Sequence, residues 1–300
     1  MRDALLQDIS CLPYSVSTTV DARLRPPKHC ECVAIKAEDD VWQVWKAHIE
    51  QADAVWFIAP ETNGMLYALT QMATLQVKLV LGCGLDAIEI TSDKMATYLA
   101  LKAASIATIP TYYVDNWPKH NNALVNQPLL AKPNDGAGCE DTFCFVNAEN
   151  LMHWLLHNKK QHTHVIQPFI TGTPASISCV MLNGSARLLS CNTQMIELNH
   201  HTLCFKGVVV NGMREHWQAF ELVAQQIAIS FPSLAGFVGI DVIVRSNEII
   251  VVEINTRLTT SYVGMREATG VNPAELILNT LTKPDYEWPS LQQNMVTIHV

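Results

Sequence analysis

The segment from Gly239 to Arg257 constrains the fold of this chain more than any other. It contains two apolar, β-branched runs joined by the short polar stretch 246–248, a pattern that predicts an antiparallel hairpin. If those three residues form the turn, Asp241 and Glu253 lie opposite each other on one face. Two carboxylates in that position repel each other and weaken the sheet unless a cation lies between them. The segment therefore predicts a cation site, with a half-exposed hairpin that merely has polar ends as the alternative.

A third oxygen-bearing side chain follows in the same strand. Asn255 comes two residues after Glu253 and so lies on the same face. Mg²⁺ prefers hard oxygen ligands and takes few of them from the protein, which leaves room for water and phosphate oxygens. Asp241, Glu253 and Asn255 are therefore the candidate ligands of Mg²⁺, with Mn²⁺ as a substitute.

Composition limits the partners of the chain. Its 300 residues, 49% of them hydrophobic, suffice for two or three packed units. The formal net charge of −8 argues against nucleic acid or an anionic membrane as the main partner. Nine cysteines without a repeating spacing do not predict a disulfide framework. No signal segment and no membrane span are apparent, so we expect a cytoplasmic protein that acts on small molecules, with a homo-oligomer compatible with the sequence.

The first 90 residues alternate strand-like and helix-like segments, which predicts an α/β layer. Residues 32–36 form a predicted strand. The apolar runs 54–59 and 77–81 are typical of buried parallel strands. We therefore expect a separate α/β domain over residues 1–90.

Two later segments carry candidate nucleotide contacts. Lys132 ends a predicted strand, and Gly136 and Gly138 follow in a loop whose backbone could approach a phosphate closely. The loop lacks Gly-Lys-Ser/Thr and leads into a strand, so it is not a Walker A loop, and an ordinary hairpin with an incidental lysine is the alternative. The second segment spans residues 165–170, and there the Pro168 carbonyl and the Ile170 N–H could pair with a nucleobase. The alternative there is a buried strand.

The order of these motifs resembles the ATP-grasp superfamily. A Ser-Asp-Lys sequence ending at Lys94 opens a helix, and Lys132 with its glycine loop follows. Gln167-Pro-Phe-Ile170 and then Asp241 with the Glu-x-Asn-x-Arg sequence 253–257 complete the series. The resemblance covers roughly residues 90–270 and is most specific in its last part.

The resemblance implies an α/β plus α+β architecture. A pre-ATP-grasp α/β domain (1–90) would precede a two-lobed ATP-grasp module that clasps the nucleotide. The small lobe would span 91–171, with the glycine loop and the adenine strand. The C-terminal lobe would span 172–300, with the metal and substrate site.

The resemblance also implies roles for individual residues. The implied nucleotide contacts are Lys94 and Lys132 at the phosphates, Gly136 and Gly138 over them, and Gln167, Pro168 and Ile170 around adenine. The implied metal ligands are Asp241, Glu253 and Asn255, and the implied catalytic residues are Arg257 and Lys132. Arg257 would steady the transferred phosphoryl group. The candidate substrate contacts are Arg257, Thr259, Thr260, Ser261 and Tyr262, with 192–194 and 206–207 on the other side. Many relatives hold the ribose with a glutamate, but residues 173–176 read Thr-Pro-Ala-Ser, so ribose contacts stay unassigned.

Three segments look most like the tyramine–glutamate ligases of methanofuran biosynthesis: 59–62, 92–94 and 170–178. Relatives of those enzymes occur in C1-metabolising bacteria, where the related cofactor is methylofuran. This resemblance implies an ADP-forming carboxylate–amine ligase that acts through an acyl phosphate. It would join glutamate to an aromatic amine or amino acid of the tyramine or tyrosine type. The alternatives are another ATP-grasp amino-acid ligase, an ATP-grasp phosphotransferase or carboxylase, and a nucleotide-binding regulatory protein without turnover.

Overall fold

The computed structural model describes residues 1–118, 122–136, 138–246 and 248–300. The first part of the chain is a layer of short parallel strands and helices, as expected. Its strands are β1 (Ser17–Asp21), β2 (Glu31–Ile35), β3 (Ala54–Val55) and β4 (Leu79–Val80), paired β1 with β2 and β3 with β4. Its helices are α1 (Arg2–Ile9), α2 (Val41–Gln51), α3 (Met65–Leu75) and α4 (Leu85–Thr91). The ladder in the run 54–59 is shorter than predicted. Its later residues, from Trp56 onward, pack against the hydrophobic clusters of the C-terminal part.

The middle of the chain forms a small lobe around one antiparallel sheet. Its elements are α5 (Lys94–Ala103), β5 (Tyr112–Tyr113), α6 (Asn122–Val125), β6 (Leu129–Pro133), β7 (Phe143–Phe145), α7 (Ala148–His157) and β8 (His164–Pro168). β6 is central, because β7 and β8 pair with its two edges. Leu151 and Leu155 of α7 are fully buried against Leu129 and Ile166 of this sheet, and they anchor the lobe.

The C-terminal part is a larger antiparallel sheet with helices on both faces. Its elements are β9 (Thr173–Leu182), β10 (Ser185–Asn199), β11 (Thr202–Val210), α8 (Trp217–Ser230), β12 (Gly236–Arg245), β13 (Glu248–Asn255), α9 (Met265–Thr269), α10 (Pro273–Thr282) and β14 (Val296–His299). The strand order is β13-β12-β9-β10-β11, with β14 on β11. Asn183 and Gly184 form the tight turn between β9 and β10, and both have positive φ, as a two-residue turn between twisted strands requires.

The alternation of β9 separates a packing face from a cavity face. Ala175 and Ile177 belong to the hydrophobic cluster that includes α8, whereas Ser176 faces the other side. Ser176 pairs with Asp241 of β12 and with Asn192 of β10. One row of polar side chains therefore crosses three strands of the sheet.

The long β10–β11 hairpin joins the two sheets. Thr202 pairs with Phe143 of β7, and the Cys144 N–H donates to the His201 carbonyl at 2.7 Å. The sheet is therefore continuous from the C-terminal part into the small lobe. A cavity lies where the small lobe faces β9–β13.

The hairpin β12–β13 has the predicted pairing of Asp241 with Glu253, but its turn differs from the predicted one. Arg245 pairs with Glu248, so the expected three-residue turn is wrong, and its middle residue Asn247 lies outside the described residues. The shorter turn alone would place Val252 opposite Asp241. A β-bulge between Asp241 and Val242 restores the pairing of Asp241 with Glu253. Bulges re-aim side chains in this way, often beside functional sites.

A segment of the small lobe supports the bulged strand. The Val251 N–H donates to the Ala107 carbonyl at 2.8 Å, and Thr108 Oγ1 donates to the Val251 carbonyl at 2.9 Å. The free edge of β13 is therefore hydrogen-bonded to residues 107–108 next to the bulge. Within the described ranges, none of the helices is long and apolar enough to cross a membrane, and all nine cysteines are free thiols.

Candidate active site

One cavity of about 450 Å³ collects most of the predicted site residues. It lies between the small lobe and the sheet of the C-terminal part. Thirteen of the fifteen predicted residues line it: Lys94, Lys132, Gly136, Gly138, Pro168, Ile170, Asp241, Glu253, Asn255, Arg257, Thr259, Thr260 and Ser261. Gln167 and Tyr262 do not.

The two opposed carboxylates form the charged floor of the cavity. Burial and, after it, the neighbouring Glu253 carboxylate together raise the pKa of Asp241 to about 8. Gln194 Nε2 donates to Asp241 Oδ1 at 2.8 Å, and Asn255 Nδ2 lies 3.4 Å from Oδ2. Two repelling carboxylates beside an amide oxygen fit a hard divalent cation such as Mg²⁺. Within the described residues no three His, Cys, Asp or Glu side chains form a metal cluster, so Asn255 and ligand oxygens would have to complete the shell.

Lys94 is fixed between the glycine loop and the carboxylates. Its Nζ donates to the Gly136 carbonyl at 2.6 Å and lies 3.8 Å from Glu253 Oε2. The helix that carries it begins after Asp93, which caps it by accepting from the Ala96 N–H at 2.7 Å. Asn134 Nδ2 donates to Asp93 at 2.5 Å. The cap and the glycine loop are therefore tied to each other.

Lys132 is a desolvated cation beside the same carboxylates. Burial lowers its pKa, although the charge of Glu253 opposes that shift. Within the described residues its ammonium has no hydrogen bond or ion pair, in contrast to that of Lys94. Lys132 is only partly buried and lines the cavity, but a desolvated ammonium without a direct partner is costly, and an anionic ligand would offset that cost.

The glycine loop has backbone features that favour glycine. Gly138 has a φ of +64°, and a Cβ on Gly136 would lie 2.9 Å from Pro133 Cβ. Ala137, between them, lies outside the described residues. Asp141, at the end of the loop, pairs with Lys160 and lies 3.3 Å from His164 Nε2. The loop is thus anchored at its end, and its glycines face the cavity.

The strand β8 and the linker after it form the apolar end of the cavity. Pro168 and Ile170 line it, and Ile243 and Val252 lie among the lining residues of the facing hairpin. Gln167 is buried beside the cavity, and its Nε2 donates to Thr111 Oγ1 at 2.9 Å. The Gln167 side chain therefore does not line the apolar end of the cavity, where adenine was expected.

Arg257 is held by a residue of the first domain. Its Nε donates to Glu61 Oε2 at 2.7 Å, and its Nη1 donates to the Leu258 carbonyl at 3.3 Å. Sequence reasoning assigned no role to Glu61. A signal was present, because Pro60-Glu61 follows the apolar run 54–59, and strand ends of α/β layers commonly supply site residues.

A chain of hydroxyl groups forms the end of the cavity beyond Arg257. Ser261 Oγ lies 3.0 Å from Thr259 Oγ1 and 2.8 Å from Ser178 Oγ. Asn192 Nδ2 donates to Ser178 and to Ser176, at 3.0 and 3.2 Å. The two serines of β9 were not predicted; their signal was the alternation of β9, which places them on the face of Asp241. Lys206 and Gly207 do not line the cavity, although their neighbours Phe205 and Val208 do.

The predicted substrate contact through Tyr262 is wrong. Residues Thr260–Gly264 form a 3₁₀ helix, so successive side chains point in different directions. The ring of Tyr262 packs in the hydrophobic core, and its hydroxyl donates to Asp8 Oδ2 at 3.0 Å. Burial raises the pKa of Tyr262 well above its usual range.

Comparisons with known proteins agree with this geometry. A family model described as an ATP-grasp domain matches residues 91–261, and one described as a pre ATP-grasp 3 domain matches residues 14–88. The tyramine–L-glutamate ligase of Methanocaldococcus jannaschii is 28% identical over 263 residues, which cover 87% of this chain and 74% of that protein.

Two solved structures share the fold at low identity. The biotin carboxylase domain of the Hydrogenobacter thermophilus 2-oxoglutarate carboxylase, solved with MgADP, has a TM-score of 0.77 at 13% identity, covering 97% of this chain and 69% of that one. The L-amino acid ligase of Bacillus licheniformis has a TM-score of 0.72 at 17% identity, covering 93% and 71%.

The chain therefore belongs to the ATP-grasp family. It is an ATP-grasp ligase of the ADP-forming carbon–nitrogen class, and it resembles the tyramine–L-glutamate ligases. The resemblance stated from the sequence motifs is thereby confirmed, together with the expected pairing of a pre-ATP-grasp domain with an ATP-grasp module.

Proposed function

We propose that the protein joins L-glutamate to an aromatic amine or amino acid of the tyramine or tyrosine type, in the biosynthesis of a C1-carrier cofactor such as methanofuran or methylofuran. One observation carries the proposal. A single cavity brings an opposed pair of carboxylates, a lysine without a direct protein partner among the described residues and a positioned arginine to one place, in a chain that resembles tyramine–L-glutamate ligases.

The nucleotide would lie between the lobes, with its phosphates near Lys94, Lys132 and the loop of Gly136 and Gly138. Adenine would lie against Pro168 and Ile170, with Gln167 behind them. The ligands of Mg²⁺ would be Asp241, Glu253 and Asn255, and Mn²⁺ would suit the same oxygen set. The bound ion would neutralise charge on the phosphates.

The proposed reaction proceeds through an acyl phosphate. A carboxylate is a poor electrophile, so a carboxylate oxygen of glutamate attacks the γ-phosphorus of ATP, and the bond to ADP breaks. The amine nitrogen then attacks the acyl carbon, inorganic phosphate leaves, and the nitrogen loses a proton. Lys132 and Arg257 offset the repulsion between the two anions in the first step.

The remaining residues of the cavity would orient the substrates and exclude water. The glycine loop, anchored through Asp141, would cover the acyl phosphate and shield it from hydrolysis. Thr259, Thr260 and Ser261 would contact the carboxylate or amine substrate beside Arg257. Holding both reactants in one geometry supplies much of the rate in such reactions.

The proposed domain organisation keeps the three parts predicted from the sequence. Residues 1–90 form the pre-ATP-grasp domain, 91–171 the small lobe and 172–300 the C-terminal lobe. The substrates are small molecules, in keeping with the acidic composition. We place the enzyme in the cytoplasm, without nucleic-acid or membrane partners, and a homo-oligomer is compatible with this proposal.

ADP release tests the proposal directly. Wild type and Glu253→Gln are incubated with ATP, Mg²⁺ and L-glutamate, with tyramine, tyrosine or other amines in parallel, and products are identified by mass. We expect ADP that requires both glutamate and one aromatic amine, and that is absent with the variant. ADP with other amino-acid pairs would indicate a different ATP-grasp ligase. Nucleotide binding without ADP from any pair would favour a regulatory protein.

A further inference from the structure

An ion pair between distant parts of the chain holds the arginine of the site. Glu61 lies in the first domain, 196 positions before Arg257, and accepts from its Nε at 2.7 Å. The side chains of Glu61 and Arg257 are only 8% and 14% exposed. The contact is therefore a buried, charge-assisted hydrogen bond, among the strongest that proteins form.

The pair fixes the orientation of the guanidinium group. Nε is held by Glu61 and Nη1 by the Leu258 carbonyl. Within the described residues, Nη2 has no protein partner, and Arg257 lines the cavity. Because guanidinium is planar, two fixed nitrogens determine where the third one points. Nη2 is thus the nitrogen of Arg257 that the described residues leave free for a ligand in the cavity.

Stability alone does not account for Glu61. Its second oxygen, Oε1, is buried without a hydrogen bond to the protein. Burying a carboxylate costs free energy that one ion pair recovers only in part, and apolar residues in such a place often give a more stable protein. A small cavity of about 20 Å³ lies against Glu61, Lys94, Glu253 and Asn255, with room for one water molecule. Glu61 therefore borders the charged groups of the site.

The turn that carries Glu61 also contacts the glycine loop. The Asn63 N–H donates to Asp135 Oδ2 at 3.2 Å, one residue before Gly136. Asn63 has a φ of +56°, a left-handed conformation that asparagine tolerates, and it forms this contact two residues beyond Glu61. One turn of the first domain thus contacts both the arginine at the substrate end and the loop over the phosphates.

We propose that Glu61 is the positioning residue of Arg257, through which the first domain takes part in phosphoryl transfer. This inference rests on the proposed function, because it assigns the arginine to the transferred phosphoryl group. Misplacement of a catalytic group by about 1 Å can lower a rate about a hundredfold. We expect Glu61→Ala to lower kcat by about 10- to 100-fold, with the KM for ATP nearly unchanged and Glu61→Asp restoring part of the rate.

Asp8 offers a matched control. It also connects the N-terminal part to the C-terminal lobe, with its Oδ1 3.3 Å from Arg266 Nη1, but it does not line the cavity. If Glu61 acted only by holding domains together, Asp8→Asn would lower kcat as much as Glu61→Ala does. We expect Asp8→Asn to lower the melting temperature while kcat stays within about twofold, because its contacts are structural.

A double-mutant cycle tests whether Glu61 acts through Arg257. In Arg257→Ala, the added Glu61→Ala should cause no further loss of kcat, since the group to be positioned is absent. Equal, multiplicative losses in both backgrounds would overturn the proposal. So would an Asp8→Asn variant that loses as much activity as Glu61→Ala.

A binding measurement separates this proposal from the choice of substrates. The affinity for inorganic phosphate is measured with Mg²⁺ and ADP present, which requires neither glutamate nor amine. We expect about tenfold weaker phosphate binding in Glu61→Ala and unchanged binding in Asp8→Asn. Wild-type phosphate affinity in Glu61→Ala would overturn the positioning role, even if the ligase activity is found. Weakened binding without turnover of any substrate pair would leave the role supported and the proposed reaction wrong.

Discussion

Two regions of this molecule bury carboxylates, and they do so in opposite ways. Asp8, between α1 and the C-terminal lobe, accepts from the Tyr262 hydroxyl at 3.0 Å and lies 3.3 Å from Arg266. Burial raises its pKa, but both partners act to lower it. Asp241 instead faces a second carboxylate, Glu253, which raises its pKa as burial does. In the first region, protein groups offset the charge of the buried carboxylate. In the second region, the two carboxylates repel each other, and a bound cation would offset their charge.

The same contrast applies to the cations. Arg266 meets its carboxylate within the protein, whereas Lys132 has no direct partner within the described residues. Unpaired buried charge lowers the free energy of unfolding, so a stable fold keeps little of it. We therefore expect substitutions in the cavity to remove activity without loss of stability, and substitutions around Asp8 to do the reverse.

The largest effect should come from Glu253→Gln. It removes one of the two carboxylates, and with it the proposed metal site, so we expect ligase activity to fall by more than about a thousandfold. The repulsion with Asp241 and the ion pair with Lys94 at 3.8 Å are lost together, so the melting temperature without Mg²⁺ should change little. ADP release and thermal unfolding measure the two effects. A variant that loses stability together with activity would contradict the comparison.

Lys132→Met should have the next largest effect. Methionine has a similar length and no charge, so the variant tests the ammonium alone. We expect about a hundredfold loss of kcat, because developing charge on the phosphates is no longer offset. Stability should not fall, since a desolvated cation without a direct partner in the described part of the chain is removed. Lys160→Met breaks the ion pair with Asp141 that anchors the glycine loop, so it should lower stability as well as kcat.

Sequence reasoning succeeded where function depends on local order. The pairing of Asp241 with Glu253, the position of Asn255 and the glycine loop all follow from strand alternation and turn residues. The predicted turn was nevertheless one residue too long, and a bulge at Val252 compensated. The bulge lies beside a contact with residues 107–108, far away in the chain, and no local pattern encodes that contact.

Sequence reasoning failed where a residue depends on distant partners. Glu61 reaches the site through a contact across 196 positions, which periodicity does not register. The strand Thr202–Val210 was not predicted either, because Gly207 interrupts its apolar run and its pairing is with β10 and β14. Tyr262 was predicted to contact the substrate because it follows Thr259, Thr260 and Ser261. A 3₁₀ helix instead directs its side chain into the hydrophobic core.

The pH dependence of stability should reveal the cost of the two opposed carboxylates in the metal-free protein. The pKa of Asp241 is raised from 3.8 in the unfolded chain to about 8 in the fold. Its protonated form is therefore favoured by folding, and that stability is present below pH 4 and lost as pH rises towards 8. Wild type should lose stability relative to Asp241→Asn over this range, measured by urea unfolding. A difference independent of pH would contradict the cause given for the shift.

The smallest effect should come from Tyr262→Phe, which tests the Asp8 region. The change keeps the ring in the core and removes the hydroxyl that donates to Asp8. We expect the free energy of unfolding to fall by about 1–2 kcal/mol, since a buried carboxylate loses one hydrogen bond. Because the ring does not line the cavity, kcat and both KM values should stay within about twofold. A tenfold higher substrate KM at unchanged stability would contradict this expectation. It would show that Tyr262 contacts the substrate and that the Asp8 region is not purely structural.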